Sequence, residues 1–281
     1  MSTAREVDVS IVMPAYGRAS MIGDAIGSCQ QIGTALHVEV IVVDDGSPDS
    51  LEAVVSPFGV RFHRLANNAG SSVARNVGMG MARGRFVKFL DSDDILTEGA
   101  LSAEVALAEQ HAADIVVSGW RSVTLQADGS SKVESTFDAP VFHSIPDDLL
   151  AGYAVPTSAA LYRRAALRRA QWDPSLSKFN DWDFFIQAAL GVESFATSPV
   201  RAYDWRSHAG DRITSAGSLL TDAGEFYEVL RKLLVLLETR GELTEKRKRR
   251  AAQYLYKELR CMFRFDRRRA LSVLSWIDSL D

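Results

Sequence analysis

Between Val7 and Val117 the chain repeats one pattern: a short run of β-branched and other apolar residues, a turn, then a segment with apolar residues at helical spacing. Val7 to Met13, Val38 to Val43, Val60 to Leu65, Arg85 to Leu90 and Asp114 to Val117 read as strands. Helices are predicted from Ser20 to about Gly33, from about Pro48, from Ser71 to Ala82, and from about Thr97 to Gln110. The second run, VEVIVV, is apolar without alternation, which marks an interior strand covered on both faces. Strand and helix in alternation predict an α/β fold: a doubly wound, mostly parallel sheet with helices on both faces. Ligands of such sheets sit beyond the carboxyl ends of the strands. The residues that follow each strand are therefore the candidate site.

Those residues are polar or acidic at three ends: Pro14, Ala15 and Tyr16 after the first strand, Asp44, Asp45, Gly46 and Ser47 after the second, and Asp91, Ser92, Asp93 and Asp94 after the fourth. Carboxylates crowded at one strand end repel and raise one another's pKa unless a cation lies among them. Oxygen ligands of this kind suit Mg²⁺ or Mn²⁺, ions that usually also hold substrate phosphates. The plain structural alternative is a helix cap, with Asp94 or Thr97 capping and Glu98 in the first turn. For Asp44 and Asp45 the alternative is an Asx-type turn, since Asp-Gly-Ser-Pro is strong turn chemistry. For Tyr16 it is a turn residue covering the sheet edge.

With 281 residues, 47% of them hydrophobic, the chain has enough to bury a large core. No run approaches the ~20 apolar residues of a membrane-spanning helix, and the start MSTAREVDVS lacks the apolar stretch of a secretory signal. Cys29 and Cys261 stand in no metal-ligand spacing. The expected setting is cytoplasmic, with contact at the inner face of a membrane left open. From Ser218 to Asp281 there are 14 Lys/Arg against 10 Asp/Glu, a net of +4, which leaves −8 for the first 217 residues. That contrast predicts two parts: a nucleotide-binding and catalytic domain over residues 1–217 and a helical extension over 218–281. In the extension Phe226, Leu230, Leu233 and Leu237 share a helical face, as do Leu255, Leu259 and Met262, with Gly241 and Thr244 marking a stop and a new cap. The basic clusters Lys246 to Arg250 and Arg267 to Arg269 leave peripheral membrane contact or self-association open for these helices.

Between the two parts the pattern loosens. Trp120 to Leu125 and Lys132 to Phe137 read as a hairpin joined through Ala127 to Ser130, Ser158 to Tyr162 as a strand, and the arginine-rich stretch from Arg163 to Arg169 as a helix. Phe179 to Leu190 reads as a helix, Phe195 to Trp205 as a strand, with turns near Gly210 and Gly217. Gly78, Gly80 and Gly84 fail the dinucleotide reading because they do not follow the first strand in the required spacing.

Taken together, VSIVMPAYGR, VIVVDDGSPDS, NNAGSSVARNVGMGMARGRFVKFLDSDD and NDWDFF, in that order, resemble the nucleotide-sugar-dependent glycosyltransferases of family 2, with the GT-A fold; the likeness spans most of residues 7 to 208. The resemblance implies inverting sugar transfer from a nucleoside diphosphate sugar, with UDP favoured, assisted by Mn²⁺ or Mg²⁺. It implies a saccharide, lipid-linked or small-molecule acceptor and no nucleic acid. Pro14, Ala15 and Tyr16 then match the turn that contacts the base, where a ring can stack, and Asp44 and Asp45 match the acids that accept from the uracil imide and the ribose. Asn68 and Arg75 match a stretch that favours diphosphate or base oxygens.

Asp91 and Asp93 form the D-x-D motif, with Asp93 on the metal, Asp91 and Ser92 on the nucleotide-sugar, and Asp94 a less defined third acid. A fixed cation there stabilises the leaving diphosphate. Asp181 in NDWDF matches the general base, with Asp183 the alternative and Asn180 where the family carries glutamate. His208 matches a histidine near the metal, and Trp182 and Trp205 fit either a sugar-binding face or the core. The runners-up are a sugar nucleotidyltransferase, for which PAYGRAS is a poor glycine-rich loop, and a non-catalytic nucleotide-sugar-binding protein. A phosphoacceptor receiver module fails, because its acidic pair would follow the first strand.

Overall fold

The computed structural model describes residues 6–30, 36–126, 130–207, 219–265, 267–268, 271 and 274–275. They fall into two compact units. The first comprises Met1–Val141, Val155–Pro174 and Gln187–Ala209, and the second Phe142–Ala154, Ser175–Ile186 and Gly210–Asp281.

The first unit is built on one nine-stranded sheet. Its opening strands are β1 (Val9–Ala15), β2 (Val38–Asp44), β3 (Arg61–Arg64) and β4 (Phe86–Phe89), connected by helices α1 (Ile22–Gln30), α2 (Glu52–Val55) and α3 (Ser71–Met81). They lie in the order β3-β2-β1-β4 and all run parallel. Every residue of β1 is buried, as are the last five of β2, which is why these runs are apolar without alternation. Helix α3 packs on β1 through Gly78: a Cβ there would come within 2.4 Å of Val12 Cγ1. The glycine is thus a packing requirement.

The second half of the sheet departs from simple alternation. After β5 (Ile95–Leu96) and α4 (Ala100–Gln110) come β6 (Ile115–Leu125), β7 (Ser131–Phe137), β8 (Ala160–Arg163) and β9 (Phe195–Ser207). The full order is β3-β2-β1-β4-β8-β6-β9-β5, with β7 paired to β6. Strand β8, late in the chain, lies antiparallel between β4 and β6, so the fifth strand of the sequence reading is not beside the fourth. Arg163 seats it, with its guanidinium over the Phe86 ring at 4.9 Å and its backbone N–H donating to Asp114 O at 2.7 Å. The arginine-rich stretch that follows is a 3-10 turn, Arg164–Arg169, rather than an α-helix. The short strand β5 was not foreseen. Neither Asp94 nor Thr97 caps α4; the cap is Gly99, at φ 72°.

A buried ion pair crosses the layers beneath β4. Lys88 Nζ donates to both carboxylate oxygens of Glu104 on α4 at 2.9 Å, and Ser118 Oγ on β6 donates to Glu104 Oε1 at 2.7 Å. Both charged side chains are fully buried. A buried charge persists only when paired in this way. Burial likewise pushes the Cys29 thiol up to about 12, which removes it as a nucleophile at neutral pH.

The second unit contains α5 (Ile145–Leu150), the start of α6 (Asn180–Leu190), α7 (Leu219–Thr239) and α8 (Glu245–Phe265). Phe226 of α7 is its aromatic centre, stacked on Trp182 at 5.2 Å and edge-on to Phe179 and Tyr254. Gly241, at φ 69°, follows α7, and the Thr244 hydroxyl accepts the Arg247 N–H at the start of α8. Much of the basic run is paired at home: Arg247 with Asp147 at 3.3 Å, Lys248 with Glu245 at 2.9 Å and Arg250 with Asp147 at 3.9 Å. The Ser144 hydroxyl, and then Arg247, hold the Asp147 carboxyl below the usual carboxylate range. Among the described residues no helix is long and apolar enough to cross a membrane.

Candidate functional site

The site grows from the end of β4. Leu90 N donates to Val12 O at 3.0 Å, and Asp94 N donates to Asp91 O at 3.0 Å, closing residues 91–94 into a tight turn. Within the turn Ser92 and Asp94 are buried, at 5% and 2% exposure. The Asp91 and Asp93 side chains keep 37% and 25% of their surface. Burial, and next the charges of Asp91 and Asp93, push the Asp94 carboxyl well above the usual range.

Arg206 of β9 meets this turn from within the unit. Its backbone N–H donates to Asp94 Oδ1 at 3.2 Å, and its Nε–H donates to the Asp93 carbonyl. The sequence reading did not single it out. Its only trace is a cation near the end of a strand, YDWRS, that also carries Asp204 and two aromatic residues.

Each outward carboxylate faces an arginine. Arg75 of α3 is buried, donates from Nη2 to Asp91 Oδ1 at 2.7 Å and from Nη1 to Ser71 Oγ at 3.1 Å, and lies 4.5 Å from the Trp172 ring centre. Asn76 fixes Trp172 by accepting its backbone N–H at 2.9 Å and donating to its carbonyl at 2.7 Å. Arg75 thus bonds an acid of the site, where the resemblance implied phosphate or base oxygens. Arg18 Nε, in the loop after β1, stands 3.6 Å from Asp93 Oδ2.

The end of β2 abuts the same loops. Asp44, its side chain fully buried, accepts Ser47 N at 2.9 Å and Arg64 Nη1 at 3.0 Å, the Asx-type turn that was the structural alternative. Asp45 accepts Ala69 N on one oxygen at 2.7 Å and Gly70 N on the other at 2.9 Å. Gly46, at φ 68°, is the hinge of this arrangement, because a Cβ there would lie 2.5 Å from the Asn67 carbonyl carbon. Ser47 Oγ accepts Gly17 N at 3.0 Å, which joins the β1 and β2 loops. Asn68 Oδ1, exposed, accepts Gly70 N at 3.2 Å. Pro14 and Ala15, read as a turn, are instead the last two residues of β1, with buried side chains. Tyr16 follows them and is 45% exposed.

In the second unit Asp181 lies in the first turn of α6, and its Oδ1 accepts Trp182 N at 2.8 Å. Asp183 is buried and accepts Lys232 Nζ at 3.1 Å. Phe179, just before the helix, has φ 54°, a backbone region that β-carbon-bearing residues seldom occupy. Trp182 is buried against Phe226, which excludes it from a sugar-binding face, whereas Trp205 is 40% exposed. His208 lies outside the described residues.

No group of three or more His, Cys, Asp or Glu side chains among the described residues converges as a cation site. The donors at the β4 turn nevertheless suit Mg²⁺ or Mn²⁺. Asp91 and Asp93 are hard, part-exposed carboxylates, and such ions are usually bound through one or two carboxylates with substrate phosphates completing the shell. The charges of Asp91 and Asp93, which act on Asp94 after the larger effect of its burial, are the field such an ion would relieve.

Comparison with known proteins gives this arrangement a lineage. Succinoglycan biosynthesis protein ExoO of Rhizobium meliloti (strain 1021) is 41% identical over 128 residues, 44% of this chain and 36% of that protein. Poly(ribitol-phosphate) beta-N-acetylglucosaminyltransferase TarS of Staphylococcus aureus (strain Mu50) is 26% identical over 235 residues, 80% of this chain and 40% of that protein. The chain therefore spans well under half the length of these curated relatives. Among solved structures, S. aureus TarS 1-349 in complex with UDP-GlcNAc superposes with a TM-score of 0.68 at 22% identity, over 95% of this chain and 76% of that one. The mannosyltransferase PcManGT from Pyrobaculum calidifontis, in complex with GDP-Man and Mn²⁺, superposes at 0.61 and 14% identity, over 99% and 81%. The fold is the GT-A type of these enzymes. The model of "Glycosyl transferase family 2" matches residues 10–170, more than half of the 281 residues, and this chain belongs to that family.

Proposed function

We propose that the protein moves a sugar from a nucleoside diphosphate donor, with UDP favoured, to an acceptor hydroxyl by single displacement with inversion. The observation that carries this reading is the pair of outward carboxylates, Asp91 and Asp93, on a tight turn at the carboxyl end of β4, with Arg75 and Arg18 beside them. Tyr16 offers an exposed ring for stacking on the base, and Asn68 and Asp45 frame the loop beside it. Asp44 is left to the turn that its hydrogen bonds hold. Asp93 would hold Mn²⁺ or Mg²⁺, with His208 a proposed further ligand, while Asp91 reaches the ribose or a water on the ion. Bound there, the metal supplies positive charge to the departing diphosphate.

The acceptor oxygen forms the new bond to the anomeric carbon as the bond from that carbon to the diphosphate oxygen breaks. The hydroxyl proton passes to a carboxylate base, for which we favour Asp181. Asp183 is the poorer base because it is buried and its charge is engaged by Lys232. Asp181→Asn is expected to bind donor as wild type does and to lose transfer by roughly 10²- to 10⁴-fold, the usual contribution of a general base. NMR of the product's anomeric configuration checks inversion, and transfer by Asp181→Asn at the wild-type rate removes this residue from the role.

A further inference from the structure

We infer that Arg206 is a positioning residue of the donor site, one that sets which carboxylates of the 91–94 turn face outward. The inference rests on the donor-site reading above. Arg206 is 4% exposed, and besides its bonds to Asp94 Oδ1 and the Asp93 carbonyl it donates from Nη1 to Asp24 Oδ2 at 3.1 Å and from Nη2 to Met21 O at 3.3 Å. One side chain thus ties the end of β9 to the turn after β4 and to the start of α1. The chain distances are long: 113 residues to Asp93 and 182 to Asp24.

The consequence for the turn is directional. The Arg206 backbone N–H holds the Asp94 carboxyl and its guanidinium holds the Asp93 carbonyl, while Ser92 and Asp94 are buried and the side chains of Asp91 and Asp93 are left at the surface. The carbonyl end of this arrangement, with its ties to Asp24 and Met21, needs a guanidinium, which stays charged at all relevant pH and presents its donors in a fixed planar fork. A lysine keeps the charge as a compact point and cannot serve Asp93 O, Met21 O and Asp24 together. Methionine fills part of the space and serves none of them. Residues that orient metal-binding groups from behind typically change metal affinity by about 10- to 100-fold when replaced.

The test compares R206K and R206M with wild type by two readouts. In amide hydrogen exchange, R206M should speed the amides of residues 92–96 by about tenfold or more while those of α4 stay unchanged. Unchanged exchange in the turn would overturn the inference. In titrations with Mn²⁺ and with UDP, both variants should bind about 10- to 100-fold more weakly, with kcat at saturation falling less than kcat/KM. Wild-type affinity in a folded R206K would equally overturn it. If R206M does not fold, R206K carries both measurements. If wild type itself binds neither Mn²⁺ nor any nucleoside diphosphate, the donor-site reading fails, and amide exchange alone decides whether Arg206 positions the turn.

Discussion

At the end of β2 all four carboxylate oxygens of Asp44 and Asp45 accept a hydrogen bond, three from nearby backbone N–H groups and one from Arg64. At the end of β4 Asp91 and Asp93 meet arginine side chains and keep 37% and 25% of their side-chain surface. Two strand ends of the same sheet thus carry paired acids and use them differently. Carboxylates bonded to backbone N–H groups fix loops, since those donors lose their acceptor if the acid is removed. Carboxylates held by cationic side chains, with part of their surface exposed, can exchange that partner for a ligand. By this contrast β2 supplies the frame, and β4 supplies the groups that act.

Substitutions can break or sharpen the contrast. The largest effect is expected at the acting end: Asp93→Asn should lower transfer by roughly 10²- to 10³-fold, the scale on which one preorganised electrostatic group acts. Its unfolding free energy should stay within about 0.5 kcal/mol of wild type, as at other part-exposed positions. Steady-state kinetics with a denaturant titration reads both. At the framing end the signature reverses. Asp44→Ala leaves Ser47 N and Arg64 Nη1 without their acceptor and should cost about 1–3 kcal/mol of stability, while the folded fraction keeps wild-type affinity for Mn²⁺. Gly46→Ala should follow with a cost of about 1–3 kcal/mol, set by its left-handed φ together with the close backbone of Asn67 and Asn68, and a cost near zero would mean that this turn and the 67–70 loop both shift freely. Smallest is Tyr16→Phe, which keeps the exposed ring and should change UDP affinity by less than about threefold, whereas loss of the ring in Tyr16→Ala removes a stacking contribution of about 1–3 kcal/mol.

What could be seen in the sequence follows from what a local pattern records. Strands β1, β2 and β4 are legible because burial on both faces leaves a mainly apolar run, as in VEVIVV, and the acids after β4 stand out against such a run. The Asx-type turn at Asp44 is legible because turn chemistry is local. Arg206 and the pair Lys88–Glu104 were not read, because each is a charge that burial makes costly until a distant partner offsets it, and no window of sequence contains that partner. The insertion of β8 beside β4 is likewise a long-range pairing, with Phe86 opposite Arg163. Pro14 and Ala15 misled in the other direction: a proline was read as a turn, but it ends a strand whose register with Val43 and Asp44 holds it in the sheet.

The central claim, that the turn after β4 is where donor and cation meet, is tested most directly by thermal unfolding with UDP, GDP and CDP, with and without Mn²⁺, in wild type and Asp93→Asn. The account predicts stabilisation of wild type by UDP with Mn²⁺, about 2.7 kcal/mol at 100 times the dissociation constant, and loss of the Mn²⁺-dependent part in Asp93→Asn. Indifference of wild type to every nucleotide, or an undiminished Mn²⁺-dependent shift in Asp93→Asn, would contradict it.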